Sequence, residues 1–189
     1  MSASRIKEAA IAHFAKSGYD GASLSQIAGD VGIRTPSIYA HFKSKEELFL
    51  SIILDVQAQE VGHIGAYFER TANDPLESRL QGLISHYHDR FEANGAMKFW
   101  MRMMFFPPVS LERQVLDAMY VYLDKLEETL VGVFRSGKAG MAEQEAERAA
   151  TAYLCLLDGV LVELLYGGSE RYEKRLKASW SMYWRGLNI

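Results

Sequence analysis

At 189 residues the chain can bury a sizeable core and hold a small domain beside a larger one. Its 49% apolar and 24% charged residues are ordinary for a globular protein and exclude a disordered or low-complexity chain. One cysteine, Cys155, excludes an internal disulfide and a cysteine-rich zinc site, and a net charge of −3 excludes a uniformly basic nucleic-acid binder. The charge is unevenly spread, however. Residues 1–45 carry a net +3 and the remainder −6. A modestly basic head on an acidic body suits a DNA reader with a separate effector-binding part.

The apolar spacing of Ile6, Ala9, Ala10, His13 and Phe14 predicts a first helix over about Ser4–Ser17, stopped by Gly18. Ser23 and Gln26 have capping-box spacing and start a second helix, whose Leu24, Ile27, Ala28 and Val31 form one stripe. Gly32 supplies a sharp turn, and Thr35-Pro36 opens a third, very short helix with Ile38 and Phe42 inward. Thr35, Ser37, Tyr39, Ala40 and His41 then face outward, a small, hydroxyl-rich surface without an acid. Such a face can approach base edges and phosphates in a major groove without steric or charge conflict. Ala28, Gly32 and Ile38 fit helix-turn-helix spacing; the competing reading is a plain helical hairpin.

Ser44-Lys45-Glu46-Glu47 is another capping box and begins a long fourth helix, with Leu48, Ile52 and Val56 continuing toward Phe68. Asp74-Pro75 starts helix five, which Asn94-Gly95 breaks. A short helix near Met97–Phe105 ends at Pro107-Pro108. Helix seven spans roughly Ser110–Arg135, helix eight Ala142–Tyr166, and helix nine starts at Ser169. No strand pattern appears, so the expected class is all-α, with about nine helices. The N-terminal residues alternate charged and apolar, unlike a secretory leader. Asp158 and Glu163 interrupt the apolar run Ala149–Tyr166, which reads as a buried or dimer-forming helix, and the expected location is the cytoplasm.

Four methionines fall within Met97–Met104, among aromatics. Trp100, Met101, Met104 and Phe105, with Tyr120 on helix seven, read either as one wall of an effector pocket or as core. His86, Tyr87 and Arg90 read as the pocket's polar groups or as surface. Leu156, Gly159, Val160, Trp180 and Tyr183 read as a dimer face, as internal core, or as both. Cys155 reads as a small buried hydrophobe. His86 and His88 are two apart and point to different sides of a helix, so no metal site is expected. No cofactor-binding loop and no nucleophile signature is present.

The segment from Gly32 to Leu48, with Ile6, Ala10, Phe14, Gly18 and Tyr19 upstream, resembles the signature of the tetracycline-repressor (TetR) family. The resemblance covers about the first 50 residues. Arg34 departs from the family pattern, which often has Ser or Thr capping the recognition helix. The resemblance implies a DNA-binding head over 1–47 and an effector-binding, dimerising body over 48–189. It implies a homodimeric regulator, most simply a repressor, released from a palindromic operator by a small apolar effector. Arg34, Thr35, Pro36 and Ser37 would meet base edges, and Ser23, Ser25, Tyr39, His41 and Lys45 would position phosphates. Two rivals stay open: a helical small-molecule-binding or interaction protein without operator binding, and an enzyme on a helical bundle.

Overall fold

A computed structural model describes residues 3–187. The described residues form nine α-helices and one 3-10 turn, with no strand. The helices are α1 (Ala3–Gly21), α2 (Leu24–Val31), α3 (Thr35–Tyr39), α4 (Lys45–Arg70), α5 (Leu76–Ala93), α6 (Gly95–Phe105), α7 (Glu112–Gly137), α8 (Glu143–Tyr166) and α9 (Gly168–Leu187). The chain divides into two compact units. The head unit holds the chain up to Gln59 together with Ala93–Tyr120; the body unit holds Glu60–Glu92 and the chain from Val121.

Local chemistry sets the helix ends. α1 is interrupted at Gly18, whose φ of 72° ends the regular turn where the sequence predicts it. The Ser23 hydroxyl oxygen accepts the Ser25 N–H at 3.2 Å and starts α2. At the head of α4 the Ser44 hydroxyl accepts the Glu47 N–H at 3.0 Å, and the Glu47 carboxylate accepts the Lys43 N–H at 2.7 Å. Asn94 both ends α5 and caps α6, its Oδ1 accepting the Ala96 N–H at 2.8 Å, so α6 begins before Met97. After Pro107-Pro108 a 3-10 turn, Val109–Leu111, takes up the residues expected to open α7.

The head unit is organised around aromatic rings. Ile6, Ala10 and Phe14 of α1, Ile27 and Ala28 of α2, and Ile38 of α3 are all buried. Phe14 meets Phe49 of α4 edge to face at 5.1 Å, and both approach Phe99 of α6, at 6.3 and 5.8 Å. The Arg102 guanidinium donates to the Ala15 carbonyl at 3.4 Å, beside the Gly18 break. The head therefore leans on α4, as a unit too small to be robust alone must, and also on α6.

In the body unit, α8 and α9 pack together. The buried Glu163 carboxylate accepts from Arg171 at 2.9 Å and Arg175 at 2.8 Å. The Arg171 hydrogen bond is the main cause holding that carboxyl below the usual range. By length and composition α8 is apolar enough to cross a membrane. In the structure it carries this ion cluster and sends the Tyr153 hydroxyl to the Leu80 carbonyl at 2.7 Å.

Phe99→Ala should cost about 3–5 kcal/mol, because a fully buried ring leaves a cavity in the core that holds the head together. Urea and thermal unfolding measure this; an unchanged midpoint would mean that α1–α4 close the head without α6.

Candidate nucleic-acid interface

Gly32 adopts φ 76° and ψ 34°, the left-handed geometry that a Cβ disfavours, and its N–H caps α2 on the Ala28 and Gly29 carbonyls. This turn delivers Arg34 in extended conformation at the start of α3, with no side-chain capping bond. Pro36 in the first turn fixes the backbone of a helix five residues long. Such a helix cannot stand on its own hydrogen bonds. Ile38, fully buried, and Phe42, nearly so, tie it to the unit.

The opposite face is bare. Arg34, Pro36, Ser37, Ala40 and His41 are exposed, Thr35 is partly so, and Tyr39 is 53% exposed. No side chain among Arg34, Thr35, Ser37 and Tyr39 makes a hydrogen bond or an ion pair with the described residues. Arg34 and Lys43 stand at the two ends of the segment as exposed cations without acidic partners. Ser25 is also exposed, whereas Ser23 is partly buried with its oxygen engaged in the cap. His13 meets Asp30 at 2.7 Å and links α1 to α2 behind this face.

Lys45 is placed differently from the other expected contacts. Its ammonium donates to the carbonyls of Tyr19 at 2.8 Å and Ala22 at 3.2 Å, with Asp20 at 3.5 Å, and lies 4.4 Å from the centre of the Tyr19 ring. All three donors of the ammonium are taken up in clasping the end of α1 and Ala22 just after it.

The residues expected to form an effector pocket fall in different units. Trp100 and Met101 are wholly buried in the head unit, Met104 and Phe105 are partly exposed, and Tyr120 is 59% exposed. His86, Tyr87 and Arg90 belong to the body unit. There Arg90 grips the buried Glu60 carboxylate through two hydrogen bonds, one of 2.6 Å. The Tyr87 and Tyr122 hydroxyls form a short hydrogen bond, and burial pushes both phenols up, so both stay protonated at neutral pH. His86 stacks on Tyr67 at 5.2 Å; burial, followed by Arg90, Arg70 and His63, holds its imidazole below the usual range. No group of three or more His, Cys, Asp or Glu side chains comes together among the described residues.

On the expected dimer face, Val160 and Trp180 are buried within the single chain. Leu156 is partly exposed, Gly159 is exposed, and the partly exposed Tyr183 donates to the Ala149 carbonyl at 2.8 Å. The open stripe on α8 and α9 holds Gly159 of that set together with Ala152, Cys155, Tyr166 and Met182. Cys155 is thus exposed rather than buried. A groove of about 390 Å³ runs along this side, lined by Arg148, Ala152, Met182 and Gly186 among others. Sequence reasoning missed Phe99, the Lys45 clasp and the Glu60 partner of Arg90. Each is a pairing across 23 or more residues that no local pattern announces.

Residues 6–52 match the family model "Bacterial regulatory proteins, tetR family". Among curated proteins none matches the chain. The fold is that of solved bacterial transcriptional regulators. A TetR-family regulator from Agrobacterium tumefaciens superposes with a TM-score of 0.73 at 18% identity, covering 97% of this chain and 96% of that one. One from Mesorhizobium loti gives 0.71 at 22% identity, covering 96% and 94%. The regulator FadR of Bacillus subtilis, solved in complex with stearoyl-CoA, gives 0.70 at 17% identity, covering 96% and 97%. Residues 6–52 thus form a head of the tetR type, and the described chain carries the fold of these regulators.

Lys45→Met should cost the head about 1–2 kcal/mol of stability, the value of a charge-assisted hydrogen-bond set at a partly exposed site. It should leave the salt dependence of DNA binding unchanged when measured well below the unfolding temperature. A salt slope lower by about 1 would instead make Lys45 a phosphate contact.

Proposed function

We propose that this chain is a DNA-binding transcriptional regulator of the TetR type, a cytoplasmic repressor that binds a near-palindromic operator as a homodimer. The observation that carries this reading is α3. It buries Ile38 and leaves Arg34, Pro36, Ser37, Tyr39 and His41 exposed, with no side-chain hydrogen bond or ion pair from Arg34, Ser37 or Tyr39 among the described residues, inside the segment that matches the tetR-family model. A face that is polar, free of acids and already stripped of competing hydrogen bonds is prepared for an outside partner. The basic balance of residues 1–45 favours a polyanion.

In this reading residues 1–47 read DNA, and 48–189 dimerise and bind the effector. Two heads related by a two-fold axis place two copies of α3 in successive major grooves. Thr35, Pro36, Ser37 and Arg34 meet base edges; Arg34 is the residue able to take a guanine through two hydrogen bonds. Ser23, Ser25, Tyr39 and His41 hold phosphates. The open side of α8 and α9, with Gly159, Leu156 and Met182, meets its own copy. A small, largely apolar effector enters the body near Tyr87, His86 and Arg90. The B. subtilis relative, solved in complex with stearoyl-CoA, supports a ligand with a long apolar part. Binding then lowers operator affinity by the coupling free energy between the two sites, about 1–3 kcal/mol.

Tyr39→Ala should weaken binding to operator and random DNA by the same factor, because a phosphate contact carries no sequence information. Arg34→Ala should cost about 1–3 kcal/mol on the operator and much less on random DNA. Titrations against the chain's own upstream region at several salt concentrations measure both; equal losses for Arg34→Ala would remove it from base reading. No retardation of that DNA, or of a random duplex at low salt, would overturn the DNA-binding reading itself. Adding a long-chain acyl-CoA should release the complex, and retention at saturating ligand would remove this class of effector.

A further inference from the structure

The chain beyond residue 45 carries a net −6, yet the end of α4 and the first turns of α5 gather cations. Two arginines stand there beside a pair of aromatic rings. Tyr67 and Phe68 meet edge to face at 5.2 Å. The Arg70 guanidinium lies 5.6 Å from the centre of the Tyr67 ring, and that of Arg79 lies 5.6 Å from the centre of the Phe68 ring. The Tyr67 hydroxyl donates to the Arg79 carbonyl at 2.8 Å and so ties the rings to α5. Burial pushes the Tyr67 phenol up, while Arg70 and Arg79 both pull it down against Asp74, which places the two cations in one neighbourhood.

Arg79 lacks an internal explanation. It is only 7% exposed, and a guanidinium cannot shed its charge. Arginines this deep are ordinarily paired. Arg90 shows the ordinary solution, with its two hydrogen bonds to Glu60. Arg79 makes no ion pair and no side-chain hydrogen bond among the described residues. Its Nε–H is sealed off, whereas the two terminal nitrogens, equally without partners, keep accessible surface. The Phe68 ring offers these donors a π cloud but no lone pair. The acids nearest in sequence, Glu69, Asp74 and Glu77, lie beyond ion-pair distance of it. Arg70, exposed on the last turn of α4, has no acidic partner either.

We propose that the α4–α5 junction of the body binds an oxyanion of the phosphate type. The terminal N–H groups of Arg79 donate to two of its oxygens, and Arg70 closes over it from the end of α4. A phosphate group suits this pair. The fork of a guanidinium matches two of its oxygens, and two cations balance its two charges. A halide offers no such pair of oxygens, and an amine meets like charge. Burial is what makes Arg79 the anchor. Its side chain is already held in place and stripped of most of its water, so little ordering remains when the anion arrives. The site requires neither operator binding nor a ligand in the interior beside Tyr87.

Titration of the full chain with inorganic phosphate and diphosphate, in chloride at constant ionic strength, reads the site by calorimetry. Diphosphate should bind with a dissociation constant on the order of 1 mM, and phosphate more weakly. Arg79→Met should weaken diphosphate by about tenfold or more, and Arg79→Lys should restore only part of the loss, because an ammonium lacks the fork. Where these variants fail to fold, Arg70→Met, on an exposed side chain, decides. A loss of about threefold or more sustains the proposal, and an unchanged constant overturns it. Arg34→Ala should bind diphosphate as the parent chain does, since that arginine belongs to the head. Phenyl phosphate separates two sources of the same group: it binds more tightly than phosphate where the site takes an ester, and equally where it takes the free anion. No binding of diphosphate up to about ten times the expected constant would overturn the proposal. So would full retention in Arg79→Met, or a loss in Arg34→Ala that moves the binding to the head.

Discussion

The contact among Phe14, Phe49 and Phe99 is what the head depends on. α3 is five residues long and has too few internal hydrogen bonds to hold a conformation. It holds one because Ile38 and Phe42 are buried in the same compact unit that these rings hold together. Edge-to-face packing of this kind stabilises beyond area burial alone. The bare outward face of α3 follows from the same contact. Side chains that need not stabilise the helix are free to be chosen for what they touch outside.

The clasp at Lys45 extends this logic to the backbone. Past the Gly18 break, the end of α1 and Ala22 beyond it present free carbonyls at Tyr19 and Ala22. One ammonium gathers them, while the Tyr19 ring covers it. His13 and Asp30 close α1 against α2 from another side. The head is therefore rigid through polar ties at its rim and aromatic packing within. That is the condition for a surface to be held in register for an outside partner, as the proposed reading of DNA requires.

Much of this was legible in the sequence because the signals are local. Ser23, Gly32, Ser44 and Asp74-Pro75 mark helix boundaries through chemistry acting over three or four residues, and the helices begin within about two residues of those marks. The outward face of α3 was legible because Ile38 and Phe42 fix its phase. What was not legible is long-range or symmetric. A lysine on a surface helix reads the same whether its ammonium meets water, phosphate or three carbonyls, so the clasp at Lys45 stayed hidden. Phe99 lies 85 residues beyond Phe14 and inside a segment apolar on most sides, so periodicity could not say which unit it completes. α8 is apolar nearly all round, which removes the phase information that would have turned Val160 inward and Cys155 outward.

The body unit sets a constraint on any effector. Its interior is not a featureless apolar space. Arg90 and Glu60 are mutually saturated, the Tyr87 and Tyr122 hydroxyls answer each other, and Tyr153 and Tyr67 reach the main-chain carbonyls of Leu80 and Arg79. Breaking one partner of such a buried pair leaves the other unsatisfied, at a cost larger than the pair's net contribution to stability. A ligand entering here gains most by lying on the tyrosine rings and aliphatic walls while leaving those pairs intact. A polar ligand that parts Arg90 from Glu60 has to replace both halves of the interaction. The same arrangement that makes the interior stable without a ligand would therefore favour an apolar ligand over a polar one, as the proposed effector requires.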